Sequence, residues 1–221
     1  MSGSAVIENC KVTASSQNSW TKSYGGGVFV SAKALLTLKD QAAIRNCSAE
    51  NTAGGATYGG GIFAEGTLTI AGHAEVDKDC SAAVGSGIYM EVGSDFLDSQ
   101  YLYANGGVIA GEVVLNNSSN HGATLMIASS DEGVTEFNGS VLNNNGIIKK
   151  GKFTGEVTNN GSITGGSITA ILFKIPGVPS SAPTTFDGYP MAKEGKAGKA
   201  LGVALFCSAI GGLFSAIAQG R

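Results

Sequence analysis

The sequence predicts an all-β chain: a parallel β-helix, or β-solenoid, followed by a C-terminal hydrophobic helix. Three observations carry this. Short apolar runs return at matching places through the first ninety residues, turn-forming residues separate them, and a twenty-residue stretch without charge stands near the end. Internal repetition of this kind is the signature of an architecture in which one unit cannot bury its own apolar face and must stack on the next.

The repeats come first. "AVIENC" at 5–10 returns as "AAIRNC" at 42–47 and, one residue longer, as "AEVDKDC" at 74–80. "GGGVFV" at 25–30 returns as "GGGIFA" at 59–64 and "GSGIYM" at 85–90, and "LTLKDQA" at 36–42 as "LTIAGHA" at 68–74. Within the runs, Val28 and Val30 share a parity, as do Leu36 and Leu38, which is the period of a strand. The glycine triplets supply corners where the backbone turns sharply or takes a positive φ. Stacking of the units predicts that Cys10, Cys47 and Cys80 form an interior column of small apolar thiols, with the residue inserted before Cys80 displacing that one. Residues 1–105 thus form a first domain of three-run units.

Residues 106–170 form a second, finer solenoid. "AGEVVLNN" at 110–117, "NGSVLNNNGII" at 138–148 and "TGEVTNNGSIT" at 154–164 repeat one theme, with Phe137 to Phe153 and Val141 to Val157 each sixteen apart. Asn143, Asn144, Asn159 and Asn160 sit at matching corners, where they either form side-chain amide ladders or serve only as turn residues. Residues 91–105, "EVGSDFLDSQYLYAN", fit neither repeat and read as a lateral loop or join, with Tyr101 and Tyr103 packed against the solenoid.

The two parts of the chain differ in charge. Residues 1–170 carry net −6 and residues 171–221 net +3. The acidic N-terminal part excludes a nucleic-acid surface. No zinc or disulfide spacing links the four cysteines, and the two histidines, His73 and His121, have no second ligand at metal-site spacing. "GGGIFA" is followed by a β-run and not a helix, so it is no dinucleotide fingerprint. Asp77, Asp79 and Asp95 are the only acidic residues dense enough for carboxylate chemistry, and no basic partner accompanies them by spacing. The expectation is a protein that is not an enzyme, with no metal and no cofactor. The N-terminus shows no secretory leader.

All four prolines, Pro176, Pro179, Pro183 and Pro190, fall in "IPGVPSSAPTTFDGYPMAKEGK" at 175–196. Just after it, residues 200–219, "ALGVALFCSAIGGLFSAIAQ", would as a helix be about 30 Å long, the thickness of a bilayer core. Ala204, Ser208, Gly212 and Ala216 place small residues on one face for close helix packing. Lys193, Lys196 and Lys199 precede this span, which sets its N-terminal side in the cytoplasm.

Two resemblances follow. Through "GGGVF", "GGGIF" and the I-x-N-C returns, residues 5–92 resemble the glycine-rich repeats of bacterial right-handed β-helix surface proteins, such as the polymorphic outer-membrane proteins of chlamydiae. That implies a passive structural or adhesive surface with a carbohydrate or protein ligand. Residues 171–218, around "IPGVPSS" and "TTFDGYPMAK", resemble a signature segment of the TctA family, the large membrane subunit of tripartite tricarboxylate transporters. That implies a permease working with a small membrane subunit and a periplasmic binding protein, and it implies substrate binding by Gly177, Ser180, Ser181, Thr184, Thr185 and Asp187. Lys174 departs from the pattern before the Ile-Pro-Gly. The primary expectation is a structural or adhesin-like surface solenoid fused to a transporter fragment. The alternatives are a transporter component and a misjoined gene product. Cell surface or outer membrane follows from the first resemblance, inner membrane from the second.

Overall fold

The structure is a computed structural model that describes residues 1–15, 21–130 and 133–164, together with Pro190, Met191, Glu194, Lys196, Lys199 and Val203. The chain divides after Ser162 into two units. The first is all-β, and its strand pairs are parallel. The stretch 200–219 lies outside the described residues except for Val203, and among the described residues no helix is long and apolar enough to cross a membrane.

One sheet has ten strands. Its main path runs Val6–Glu8, Ala43–Arg45, Thr67–Val76, Gln100–Ile109, Leu125–Ala128, Ile147–Ile148 and Ser162–Ile163. A second sheet has six: Val28–Val30, Ile62–Ala64, Ile88–Val92, Val113–Asn117, Val141–Asn144 and Val157–Asn159. Two short pairs, Lys11–Ala14 with Ser48–Asn51 and Ser23–Tyr24 with Thr57–Tyr58, complete the early repeats. Each strand pairs with its counterpart one repeat later, in the register the sequence repeats predict: Ile7 with Ile44, Leu36 with Leu68, Phe29 with Phe63 and then Tyr89.

The repeat shortens along the chain. Val6 pairs with Ala43, Ile62 with Ile88 and Val141 with Val157, so the step falls from 37 to 26 to 16 residues. The loss comes from the short pairs: in the third repeat each is reduced to a single bridge, Ser48 with Ser81 and Tyr58 with Val84. Residues 110–112 then connect the two large sheets directly. Both sheets run through position 105, and the strand Gln100–Ile109 spans it.

Alternation decides which side chains face the interior. Ile62, Ile88, Met90, Val113 and Leu115 from the second sheet, and Leu38, Ile44, Leu68, Ile70, Leu102, Ile109 and Ile127 from the first, are all fully buried. Each such side chain contributes roughly 1.5–3 kcal/mol, an upper bound because unfolded chains already bury some surface.

The corners explain the sequence motifs. Gly25, Gly59 and Gly85, which open the three glycine-rich runs, have φ of 64°, 66° and 65°, a left-handed conformation that suits glycine. Further along each corner, Gly27, Gly61, Gly87, Gly111, Gly139 and Gly155 form a continuous column. A Cβ on Gly61 would lie 2.7 Å from the Gly87 carbonyl oxygen, so backbone passes over backbone with no room for a side chain. The I-x-N-C motif is a turn: Asn9 and Asn46 both have positive φ, and Asn46 Nδ2 donates to Asn9 Oδ1 at 2.7 Å.

The cysteine column corrects one expectation. Cys80 is not displaced: its neighbour Ser81 bridges Ser48, and the Ser81 amide donates to the Cys47 carbonyl. The extra residue is absorbed in the turn 77–79, where Asp79 N–H donates to Asp77 Oδ1 at 3.3 Å. Cys47 and Cys80 are buried and Cys10 is half-buried.

Replacing Gly61 by alanine is expected to lower stability by about 1–3 kcal/mol through backbone overlap, lowering the urea midpoint. Gly3→Ala, where nothing lies within 4 Å, tests the left-handed strain alone and should cost less.

Candidate functional site

Two places in the described residues concentrate chemistry, and both lie where the repeats deviate from one another. In the first sheet's connections, Ala64 and Thr67 are separated by only Glu65 and Gly66. Their partners in the first repeat, Val30 and Leu35, are separated by four residues, 31–34. In the third repeat, Met90 and Tyr101 are separated by ten. The third connection therefore projects outward past the second, and a cavity of about 180 Å³ remains, lined by Ala32, Lys33, Asp95, Phe96, Leu97, Asp98 and Gln100.

This loop is held in place. The fourth repeat makes a connection of equal length, and the two lie against each other: Asn120 N–H donates to the Ser94 carbonyl, Ser119 Oγ to the Phe96 carbonyl, and His121 Nδ1 lies 3.0 Å from Ser94 O. Buried Gln100 accepts from Thr67 Oγ1 and donates to the Asp98 carbonyl, both at 3.3 Å. Across the opening, Lys33 Nζ stands 3.9 Å from Asp98 Oδ2, with both side chains largely exposed. Lys33 has φ 67°, an uncommon conformation for a residue with a side chain.

The second place is the outer face of the second sheet. Phe29, Phe63 and Tyr89 stack through successive repeats at 5.3 and 5.5 Å between ring centres, and Tyr24 stacks on Tyr58 beside them. Phe63, Tyr89 and Val114 are buried beneath Tyr24, Tyr58, Val84 and Leu142. At the edge of this cluster Glu65 and Glu91 follow the paired residues Ala64 and Met90, so two carboxylates fall one layer apart. Elsewhere charges on neighbouring strands are opposite, as in Arg45 with Glu75, Lys11 with Glu50 and Lys152 with Glu136. Burial, then the Glu65 charge, pushes Glu91 above the usual carboxylate range, while Lys22 and Asn116 oppose this. Lys22 Nζ lies 5.5 Å from the centre of the Tyr58 ring. Burial also raises Tyr24 and Tyr89.

The residues singled out from sequence are distributed differently. Asp77 and Asp79 lie on the turn after the strand Thr67–Val76, whereas Asp95 is on the lateral loop before Gln100–Ile109, so the three make no common site. Among the described residues no three metal-ligating side chains come together. His73 is exposed, and His121 braces the lateral loop. Residues 91–105 separate into a loop at 93–99 and a strand from Gln100, and Tyr101 and Tyr103 are half-buried with rings stacked at 5.3 Å. The amide ladder forms: Asn143 Nδ2 donates to Asn159 Oδ1 at 2.6 Å, and Asn160 Nδ2 to Asn144 Oδ1 at 3.0 Å. Cys47 and Cys80 make weak contacts to backbone carbonyls, and burial raises both thiols, Cys80 to about 11. Gly177, Ser180, Ser181, Thr184, Thr185 and Asp187 lie outside the described residues. Lys33, Glu65, Glu91, Phe96 and Asp98 went unnoticed in the sequence. Only the unequal length of the connections after "GVFV", "GIFA" and "GIYM" could have marked them.

Known sequences bear on the other end of the chain. Residues 158–219 match the tripartite tricarboxylate transporter TctA family. The match begins inside the strand Val157–Asn159, takes in the proline cluster and ends with the uncharged stretch at residue 219. A relative from Agrobacterium vitis, the "Uncharacterized 52.8 kDa protein in TAR-I ttuC' 3'region", is 51% identical over 55 residues, which are 25% of this chain and 10% of the relative. The chain thus spans about a tenth of that protein's length. No solved structure matches the chain.

Two outcomes test these environments. Glu91→Gln should raise the melting temperature at neutral pH. A raised carboxyl pKa means that its charge costs stability at higher pH, so the difference should vanish as pH falls through the ordinary carboxylate range near 4. Iodoacetamide at pH 8, followed by peptide mass mapping, should label Cys10 far faster than Cys47 or Cys80.

Proposed function

We propose that residues 158–219 are a piece of the membrane component of a tripartite tricarboxylate transporter, and that transport gives this chain its functional meaning. The family match over this segment carries the reading, supported by 51% identity to the A. vitis relative. In it, Pro176, Pro179, Pro183 and Pro190 interrupt a membrane helix and free backbone groups to meet a carboxylate. Gly177, Ser180, Ser181, Thr184, Thr185 and Asp187 line the tricarboxylate site, and residues 200–219 span the inner membrane. A small membrane subunit and a periplasmic substrate-binding protein are the partners. One segment supplies part of a translocation path, so binding and not transport is the activity to measure.

A second reading applies to residues 1–163: a β-solenoid without enzymatic activity that serves as a structural or displayed surface. It is favoured by the parallel, in-register pairing of successive repeats.

Citrate should raise the melting temperature of the full chain in detergent in a saturable manner, following the linkage of ligand binding to stability. The shift should be lost in a Ser180→Ala, Ser181→Ala double variant. No shift, or one that sulfate at equal ionic strength reproduces, would remove the transporter reading and leave the solenoid reading standing.

A further inference from the structure

We propose that the cavity between the lateral loop 93–99 and the turn 31–34 is a binding site for a small organic monocation: an apolar body carrying one ammonium group.

Four observations lead there. The cavity exists because of chain length and not loose packing, since the connection 65–66 is far shorter than those on either side of it. Insertions that project from one face of a repeat array are where such scaffolds carry binding surfaces. The loop is also braced before any ligand arrives, by the Ser94, Phe96 and Gln100 hydrogen bonds. A preformed site spares a ligand the cost of ordering it.

The lining sets the chemistry. Half-buried Phe96 with exposed Ala32 and Leu97 gives the site an apolar lining, and Leu97, 72% exposed, offers its side chain to a ligand at the rim. A cavity of about 180 Å³ that opens to solvent has room for a single ring or a short branched chain. Around the opening stand two carboxylates, Asp95 and Asp98, and one ammonium, Lys33. The surplus negative charge calls for a cation.

Lys33 completes the case. It holds a left-handed backbone although a side chain costs about 1–2 kcal/mol there, and strain of this kind collects at functional sites. Its ammonium reaches Asp98 only at 3.9 Å, with 82% of the side chain exposed, an ion pair weak enough for an incoming ammonium to replace.

Isothermal titration of the full chain with 2-phenylethylammonium tests this, with phenylacetate as the equal-sized anion. The expected result is saturable binding of the amine with Kd of order 1 mM and none of phenylacetate. Asp95→Asn with Asp98→Asn should weaken the amine at least tenfold, Ala32→Trp should abolish binding by filling the cavity, and Lys33→Gly should strengthen it. If Ala32→Trp does not fold by circular dichroism, Leu97→Ser on the exposed rim replaces it and should weaken binding. Absence of saturable binding, equal binding of phenylacetate, or amine binding untouched by the aspartate and cavity variants would each overturn the proposal.

Discussion

In-register parallel pairing is the constraint from which the rest of this structure follows. When each strand lies on its counterpart about 4.8 Å away, a residue meets the same position of the next repeat, and every corner has to be compatible with a copy of itself. That is why glycine persists from Gly27 to Gly155 at the place where backbone crosses backbone. It is why Asn46 hydrogen-bonds Asn9, Asn143 hydrogen-bonds Asn159, and Phe137 stacks on Phe153 at 4.7 Å. Amides, aromatic rings and thiols can each meet a copy of themselves at close range, whereas like charges repel.

Chemistry then appears where self-matching fails. Glu65 and Glu91 are a mismatch of charge, tolerated because Lys22 and Asn116 stand beside them. The lateral loop 93–99 is a mismatch of length, and a cavity is its geometric consequence. A repeat array with perfect copies would present only flat, self-satisfied faces. The departures create concave surface and unpaired charge, the two properties a ligand requires.

The unit Met1–Ser162 and the transporter-like segment follow different physical rules. In the first, burial alternates with period two and glycine serves the corners. In the second, no charged residue interrupts the run from Ala200 to Gln219, and prolines gather just ahead. The family match begins at residue 158, while the strands of the first sheet continue to Ile163, so repeat-like and transporter-like sequence overlap there.

The sequence alone determined the strand register, because repeated motifs must align if their apolar positions are to face one interior. Ile7 on Ile44, Leu38 on Ile70 and Phe29 on Phe63 were readable before any coordinates. It also identified the transporter-like segment, since that signal lies in a contiguous motif. Tertiary structure decided what depends on connection length. It showed that the residue inserted before Cys80 vanishes into an Asp77 turn, returning the thiol to its column. It also brought Lys33 and Asp98, 65 positions apart, to the mouth of one cavity. A periodic pattern fixes which residues point inward, but loops obey no period, and only the path of the backbone can say which of them meet.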